Sequence, residues 1–344
     1  MKNNQYWSNR SKERMMQYHK DSNNTINIIH KAYDKAIKDI EKDIKNIHDN
    51  LAINGQLSLE DTKQLLNTKV SKKEMEELRR LISSMEDPDT KKYLLARLNA
   101  PAYRARMTRL EHLKENIYIR SKQIASVEIQ ASTSQYIDTI NQAYYRNMFD
   151  IQKGLGLGFS FNSMNDKAIK AILSNPWSGK HFSERIWSNT DILSEQLIEI
   201  LTSGFMTGKS IDNMARELRD RVNIGKYVAT RLIRTETTYM ANSGEIESYK
   251  EIGIEKYIYV ATLDLRTSDI CQELDRQVFE VDKAMAGENL PPMHPNCRST
   301  TRSYITTEEL AKIKRRARNP QTGKTYLVPG DMNYKEWYSK YVKE

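Results

Sequence analysis

The residues best suited to chemistry lie in two short segments near the C-terminal end. The first is Asp264-Leu265-Arg266-Thr267-Ser268-Asp269-Ile270-Cys271, and the second is Pro291-Pro292-Met293-His294-Pro295-Asn296-Cys297-Arg298. Together they hold both cysteines of the chain and the only histidine after His181. His294-x-x-Cys297 has the spacing of half a zinc knuckle, and Cys271 can close on it across a hairpin. Thiolate and imidazole ligands suit zinc, which takes four ligands in structural sites. Three are at hand, and Asp264, Asp269, Asp275 or a water would supply the fourth. The alternative is that the two cysteines are small buried side chains, with His294 bonded to the loop backbone. Two cysteines in 344 residues fit a reducing compartment, which disfavours a disulfide between them.

Positioning these loops falls to short strands and one helix. Tyr257–Thr262, Gln277–Glu280 and roughly 299–305 have strand character, and the two segments connect them. Upstream, a helix is expected from Tyr227 after a break at Gly225, carrying Arg234-Thr235-Glu236. Arg234 and Glu236 are expected to form an ion pair that fixes this helix against the sheet, since a paired charge tolerates burial better than a lone one. Ser210 reads as the N-cap of a preceding helix through Met214 and Leu218. Gly208-Lys209-Ser210 is not a P-loop, because Gly204 is one residue too close and no strand precedes it. Gly154, Gly156 and Gly158 mark a turn or linker.

The first 150 residues read as an elongated, nearly all-helical region. Ile26, Ile29, Tyr33, Ile37, Ile40, Ile44, Ile47 and Leu51 recur at spacings of 3 and 4, an apolar seam close to a heptad pattern. Asn54-Gly55 breaks it, and Ser71 with Glu74 forms a capping-box signature. A further helix is expected from Tyr103 to about Phe149. His19, His30, His48 and His112 are scattered and read as surface or interface histidines, so no catalytic constellation emerges here.

Composition narrows the class. Charged residues make up 29% of the chain against 38% apolar, with 13 Gly and 8 Pro, which favours solvated helices over a sheet protein. No run approaches the ~18 apolar residues of a spanning helix, and the start lacks the apolar region of a signal peptide. The net charge is +9, with residues 1–150 at +6, 251–300 at −4 and 301–344 at +5. Such a basic excess suits nonspecific nucleic-acid contact or an acidic protein surface, and equally a solvated helical surface.

The motif residues also carry a resemblance. Arg234-Thr-Glu236, then Leu263-Asp-x-Arg266-Thr267-x-x-x-Cys271-x-x-Leu274-Asp275, then Pro291-Pro292-x-His294-Pro-Asn-Cys297-Arg298 resemble the phage head-morphogenesis family typified by the F protein of phage Mu. The resemblance covers about residues 190–305. More loosely, Trp177-Ser-Gly and the tail from Asn319 to Tyr338 are similar to longer minor head proteins. One departure stands out: many relatives have cysteines where this chain has Ser268 and Ser299, so a four-thiolate site is not inherited intact.

This resemblance implies an α+β fold, predominantly helical. An elongated helical region would span 1–152, a Mu F-like head morphogenesis domain 153–305 with its core at about 190–305, and a basic tail 306–344. Arg234, Glu236, Arg266, Thr267, Asp275, Pro292 and Arg298 would be its structural motif residues. Cys271, His294, Cys297 and Asp264 would be its candidate zinc ligands. It implies a non-enzymatic, few-copy minor capsid protein inside the virion at the portal vertex, present in the host cytoplasm during assembly. Its role would lie in head assembly or in DNA packaging and ejection. Its partners would be portal protein, packaged double-stranded DNA and scaffold or coat protein. DNA contact would fall to Lys312, Lys314, Arg315, Arg316 and Arg318. Two enzymatic alternatives stand beside this: a metal-dependent nuclease, and an ADP-ribosyl transfer site built on Arg234 with Glu245-x-Glu247.

Overall fold

The computed structural model describes residues 4–52, 59–101, 107–158, 160–305, 314–319, 322–329, 332 and 334–341. The expected class is observed: a predominantly helical chain with a long helical N-terminal region and a small C-terminal antiparallel sheet. Helices α1 (Asn4–Ala52), α2 (Leu59–Leu66), α3 (Lys72–Ser83), α4 (Pro88–Asn99), α5 (Arg109–Leu155), α6 (Asp166–Ser174), α7 (Phe182–Thr207) and α8 (Ile211–Glu251) come first. Strand β1 (Lys256–Val260), helix α9 (Asp269–Leu274), and strands β2 (Val278–Glu280) and β3 (Thr300–Tyr304) follow. The tail adds β4 (Lys314–Arg318), β5 (Thr325–Pro329) and α10 (Tyr334–Tyr341). Among the described residues, no helix is long and apolar enough to cross a membrane.

The chain forms two compact units. One comprises Met1–Asn23, Thr133–His181 and Arg231–Glu344, the other Asn24–Ser132 and Phe182–Thr230. Helices α1, α5 and α8 each contribute a stretch to both.

In the unit containing 24–132, the apolar seam of α1 is buried within the chain itself. Ile29, Tyr33, Ile40 and Ile44 are at most 2% exposed, so the seam needs no second subunit to cover it. Leu78, Ile82, Leu94, Leu98 and Ile119 form a further core cluster. Ser71 caps α3 as expected: its hydroxyl accepts from Glu74 N while Glu74 accepts from Ser71 N. Ser210 caps α8 more weakly, accepting from Asn213 N at 3.4 Å. The break expected at Gly225 is absent, because α8 runs through it. A glycine inside a helix costs about 1 kcal/mol relative to alanine. Here a Cβ would lie 2.8 Å from the Tyr33 ring, so the missing side chain is what lets α1 and α8 pack.

In the unit containing 231–344, β1 is the central strand of a three-stranded antiparallel sheet in the order β2-β1-β3. Lys256 pairs with Glu280 on one side and with Tyr304 on the other. Tyr257, Tyr259 and Val260 are buried, which is why this central strand alone reads as a near-continuous apolar run. Behind the sheet, Arg14 of α1 is 8% exposed and reaches Glu245 at 3.0 Å, Asn147 at 3.0 Å and Asp150. Glu245 also accepts from Thr301 at 3.0 Å and Thr300 at 3.3 Å, so β3 is bonded to the same network. Gly244 lets α8 approach α5, since a Cβ there would lie 2.6 Å from Ile140 O. The basic tail contributes a two-stranded sheet, β4-β5, where no strands were expected.

Candidate functional site

The second loop is shaped by its own turn and held by α8. Cys297 N donates to His294 O at 3.2 Å, and Asn296 sits at φ 60°, a left-handed conformation that asparagine tolerates better than most residues. The Pro291–Pro292 bond is cis. From α8, Thr235 Oγ1 accepts from Asn296 N at 3.0 Å, Thr238 Oγ1 donates to Cys297 O at 2.6 Å, and Asn242 Nδ2 donates to Ser299 O at 3.4 Å. These three residues, spaced 3 and 4 apart, form one polar face of the helix. They are the positioning residues that sequence reasoning missed. A buried polar stripe at helical spacing was the available signal.

The first loop is braced from below. Asp264 accepts from Arg298 through both oxygens, at 2.6 and 2.7 Å, and from Arg266 N at 2.9 Å. This fork holds its carboxyl well below the usual range. Thr267 Oγ1 donates to Thr262 O, and Asp275 Oδ1 accepts from Ala261 N at 2.8 Å. Helix α9, a single short turn where a loop was expected, delivers Cys271 into the interior at 1% exposure.

The structure brings Cys271, His294 and Cys297 together, with their ligand atoms all within 4.8 Å of one another. Cys271 Sγ is 3.8 Å from Cys297 Sγ and 3.4 Å from His294 Nε2. Both cysteines are free. Tyr259, on β1, donates its hydroxyl to Cys271 Sγ at 3.2 Å. The two thiols face each other, and either of them can donate to the other. The bond from Cys271 draws Cys297 down to about 6, and the same bond together with burial pushes Cys271 up to about 12. Ser268 and Ser299 lie beside the Cys271 thiol and favour its ionised form.

Asp264 is not part of the cluster, contrary to expectation, because Arg298 engages both of its oxygens. The Asp275 carboxylate is turned to the backbone of Ala261 instead. Nor do Arg234 and Glu236 pair. Two residues apart on a helix, they point in different directions. Glu236 accepts from Trp177 Nε1 at 3.0 Å, and Trp177 stacks on Tyr239 with centroids 5.4 Å apart. Arg234 reaches His19 O, Ser22 Oγ and Asn23 Oδ1, all neutral. His19 is not a surface histidine: it is largely buried, and its ring reaches Thr238 at 3.1 Å. Pro292 is buried at the turn. Of the tail residues, Lys314 and Arg318 are exposed on β4, Lys312 lies outside the described residues, and so do the side chains of Arg315 and Arg316.

The site thus combines a helical scaffold, a three-stranded sheet and a Cys–His–Cys cluster that joins two loops. Residues 195–302 match the family described as Phage Mu protein F like protein, the family that the motif residues resemble. The NAD(+)–arginine ADP-ribosyltransferase EFV of Enterococcus faecalis (strain ATCC 700802 / V583) is 25% identical over 217 residues. That similarity covers 59% of this chain and 43% of the relative, so the chain spans less than half the length of the curated relative it matches. No solved structure matches the chain.

Proposed function

We propose that the protein is a minor head protein of a tailed phage, internal to the capsid, bound at the portal vertex and in nonspecific contact with packaged DNA. The observation that carries this reading is the Mu F-like match over 195–302, the segment in which α8, the sheet and both motif loops are fastened together. The motif residues work on one another: Asp264 on Arg298, Thr235 and Thr238 on the His294–Cys297 turn. Side chains engaged in this way build a rigid docking element. Lys314 and Arg318, exposed on β4, supply cations of the kind that displace counterions from DNA phosphates.

A zinc ion belongs to this reading. In a tetrahedral site with bonds of about 2.3 Å to sulfur and about 2.0 Å to nitrogen, sulfur atoms lie about 3.8 Å apart and sulfur and nitrogen about 3.5 Å apart. The observed 3.8 and 3.4 Å fit the two edges that meet at Cys271, and all three ligand atoms lie within 4.8 Å of one another. Cys271, His294 and Cys297 would hold the ion, and a Ser268 or Ser299 hydroxyl or a water would complete it. Its contribution would be to cross-link the α9 loop to the turn before β3.

The transferase reading finds no support in the residues once weighed for it. Glu245 is fully buried on Arg14, Thr300 and Thr301, Glu247 pairs with Lys250 at 2.7 Å, and both lie on a helix. The deciding experiment is affinity purification of the protein from infected or induced cells. Recovery with portal protein supports the proposal, and recovery only as a free monomer contradicts it.

A further inference from the structure

Beside the Cys–His–Cys cluster, within the same compact unit, lies an open cavity of about 800 Å³. Four cationic side chains line it: Lys20 from α1, Arg234 from α8, Arg266 from the first loop and Arg298 from the second. No carboxylate is among its lining residues. Arg266 and Arg298 share a single acid, Asp264, at 3.7 and 2.6 Å. Arg234 is half-buried with only neutral acceptors, so its charge is uncompensated where desolvation is most expensive. Met15 and Met16 supply an apolar wall.

The cavity thus presents an excess of positive charge. A carboxylate ligand would bring one negative charge to it. A phosphate monoester answers the charge more fully, because its second ionisation lies near 6 and it carries close to two negative charges at neutral pH. Its oxygens also suit the guanidinium forks of Arg234 and Arg266.

We propose that this cavity is a binding site for a phosphate monoester, carried by a free nucleotide or by the 5′ end of a nucleic-acid strand. It is separate from the nonspecific DNA contact assigned to β4, which reads backbone charge and is indifferent to strand ends.

The test is calorimetric titration of the full chain with three probes: adenosine monophosphate, a 5′-phosphorylated trithymidylate and the same trinucleotide with a 5′-hydroxyl. The expected result is binding of the first two at least tenfold tighter than the third. A preference between them then identifies the source of the ester. Lys20→Ser and Arg266→Ser, both exposed positions, are expected to weaken the binding about tenfold each while leaving the melting temperature unchanged. Equal affinity with and without the 5′-phosphate, no binding of any probe, affinities unmoved by either variant, or displacement by hexaglutamate at equal concentration would each overturn the assignment.

Discussion

Cys271 Sγ and Cys297 Sγ stand 3.8 Å apart, unbonded, each delivered by a different loop and each almost fully buried. The contact joins a helical turn before β2 to the turn before β3. It therefore welds the two motif segments into one element.

Metal content follows from that contact. The purified protein is expected to carry about one zinc per chain by atomic emission, and Cys297→Ser to lose it. Asp264→Asn is expected to keep the metal, since Asp264 answers to Arg298 and not to the sulfurs. A metal-free wild type, or loss of metal in the Asp264 variant, would contradict this assignment.

The helix that grips the turn should matter for stability. Thr238→Val removes the donor to Cys297 O and leaves that carbonyl buried without its partner. The expected cost is about 1–3 kcal/mol, read as a lower denaturation midpoint at an unchanged slope. Gly244→Ala is expected to cost a similar amount for a different reason, because its Cβ would press on Ile140 O. A variant as stable as wild type would show that the helix does not depend on the contact it lost.

Much of this was legible in the sequence, and what was not has a physical cause. The α1 seam, the Ser71 capping box and all three strands of the central sheet follow from local periodicity and local hydrogen bonding. Gly225 misled because a glycine punctuates a helix unless a neighbour occupies the space of its side chain, and Tyr33 is 192 residues away. Arg234 and Glu236 misled because adjacency in sequence is not adjacency on a helix. The Cys–His–Cys cluster was legible from spacing alone, whereas the Thr235, Thr238 and Asn242 face behind it required knowing which side of α8 meets the loops. The β4–β5 hairpin was hidden because its strand reads Lys-Arg-Arg-Ala-Arg, charge without apolar alternation.

A buried acid sets a pH dependence in the other unit. Glu128 is 2% exposed, and burial pushes it up to about 8 against a hydrogen bond from Tyr33 that favours its ionised form. The folded value lies above the unfolded one, so this stabilisation is fully present below about 4.5. It declines as pH rises and is gone above about 8, at up to about 1.4 kcal/mol per pH unit in between. Thermal melts from pH 6 to 9 are expected to show a falling midpoint that Glu128→Gln flattens. Parallel profiles for the two proteins would remove Glu128 as the cause.

DNA binding should be electrostatic. Gel shifts with unrelated duplexes are expected to give equal affinities that fall steeply from about 50 to about 200 mM salt. Replacing Lys314 and Arg318 by serine should lower the salt slope by about 2 without creating sequence preference. A salt-insensitive complex, or none, would take DNA off the list of partners.

Quantitative mass spectrometry of purified phage particles bears most directly on the proposed role. A minor head protein is expected in intact particles at a few copies beside one portal ring, protected from external protease until the capsid is opened. Abundant protein in the lysate with none in the particles would contradict it.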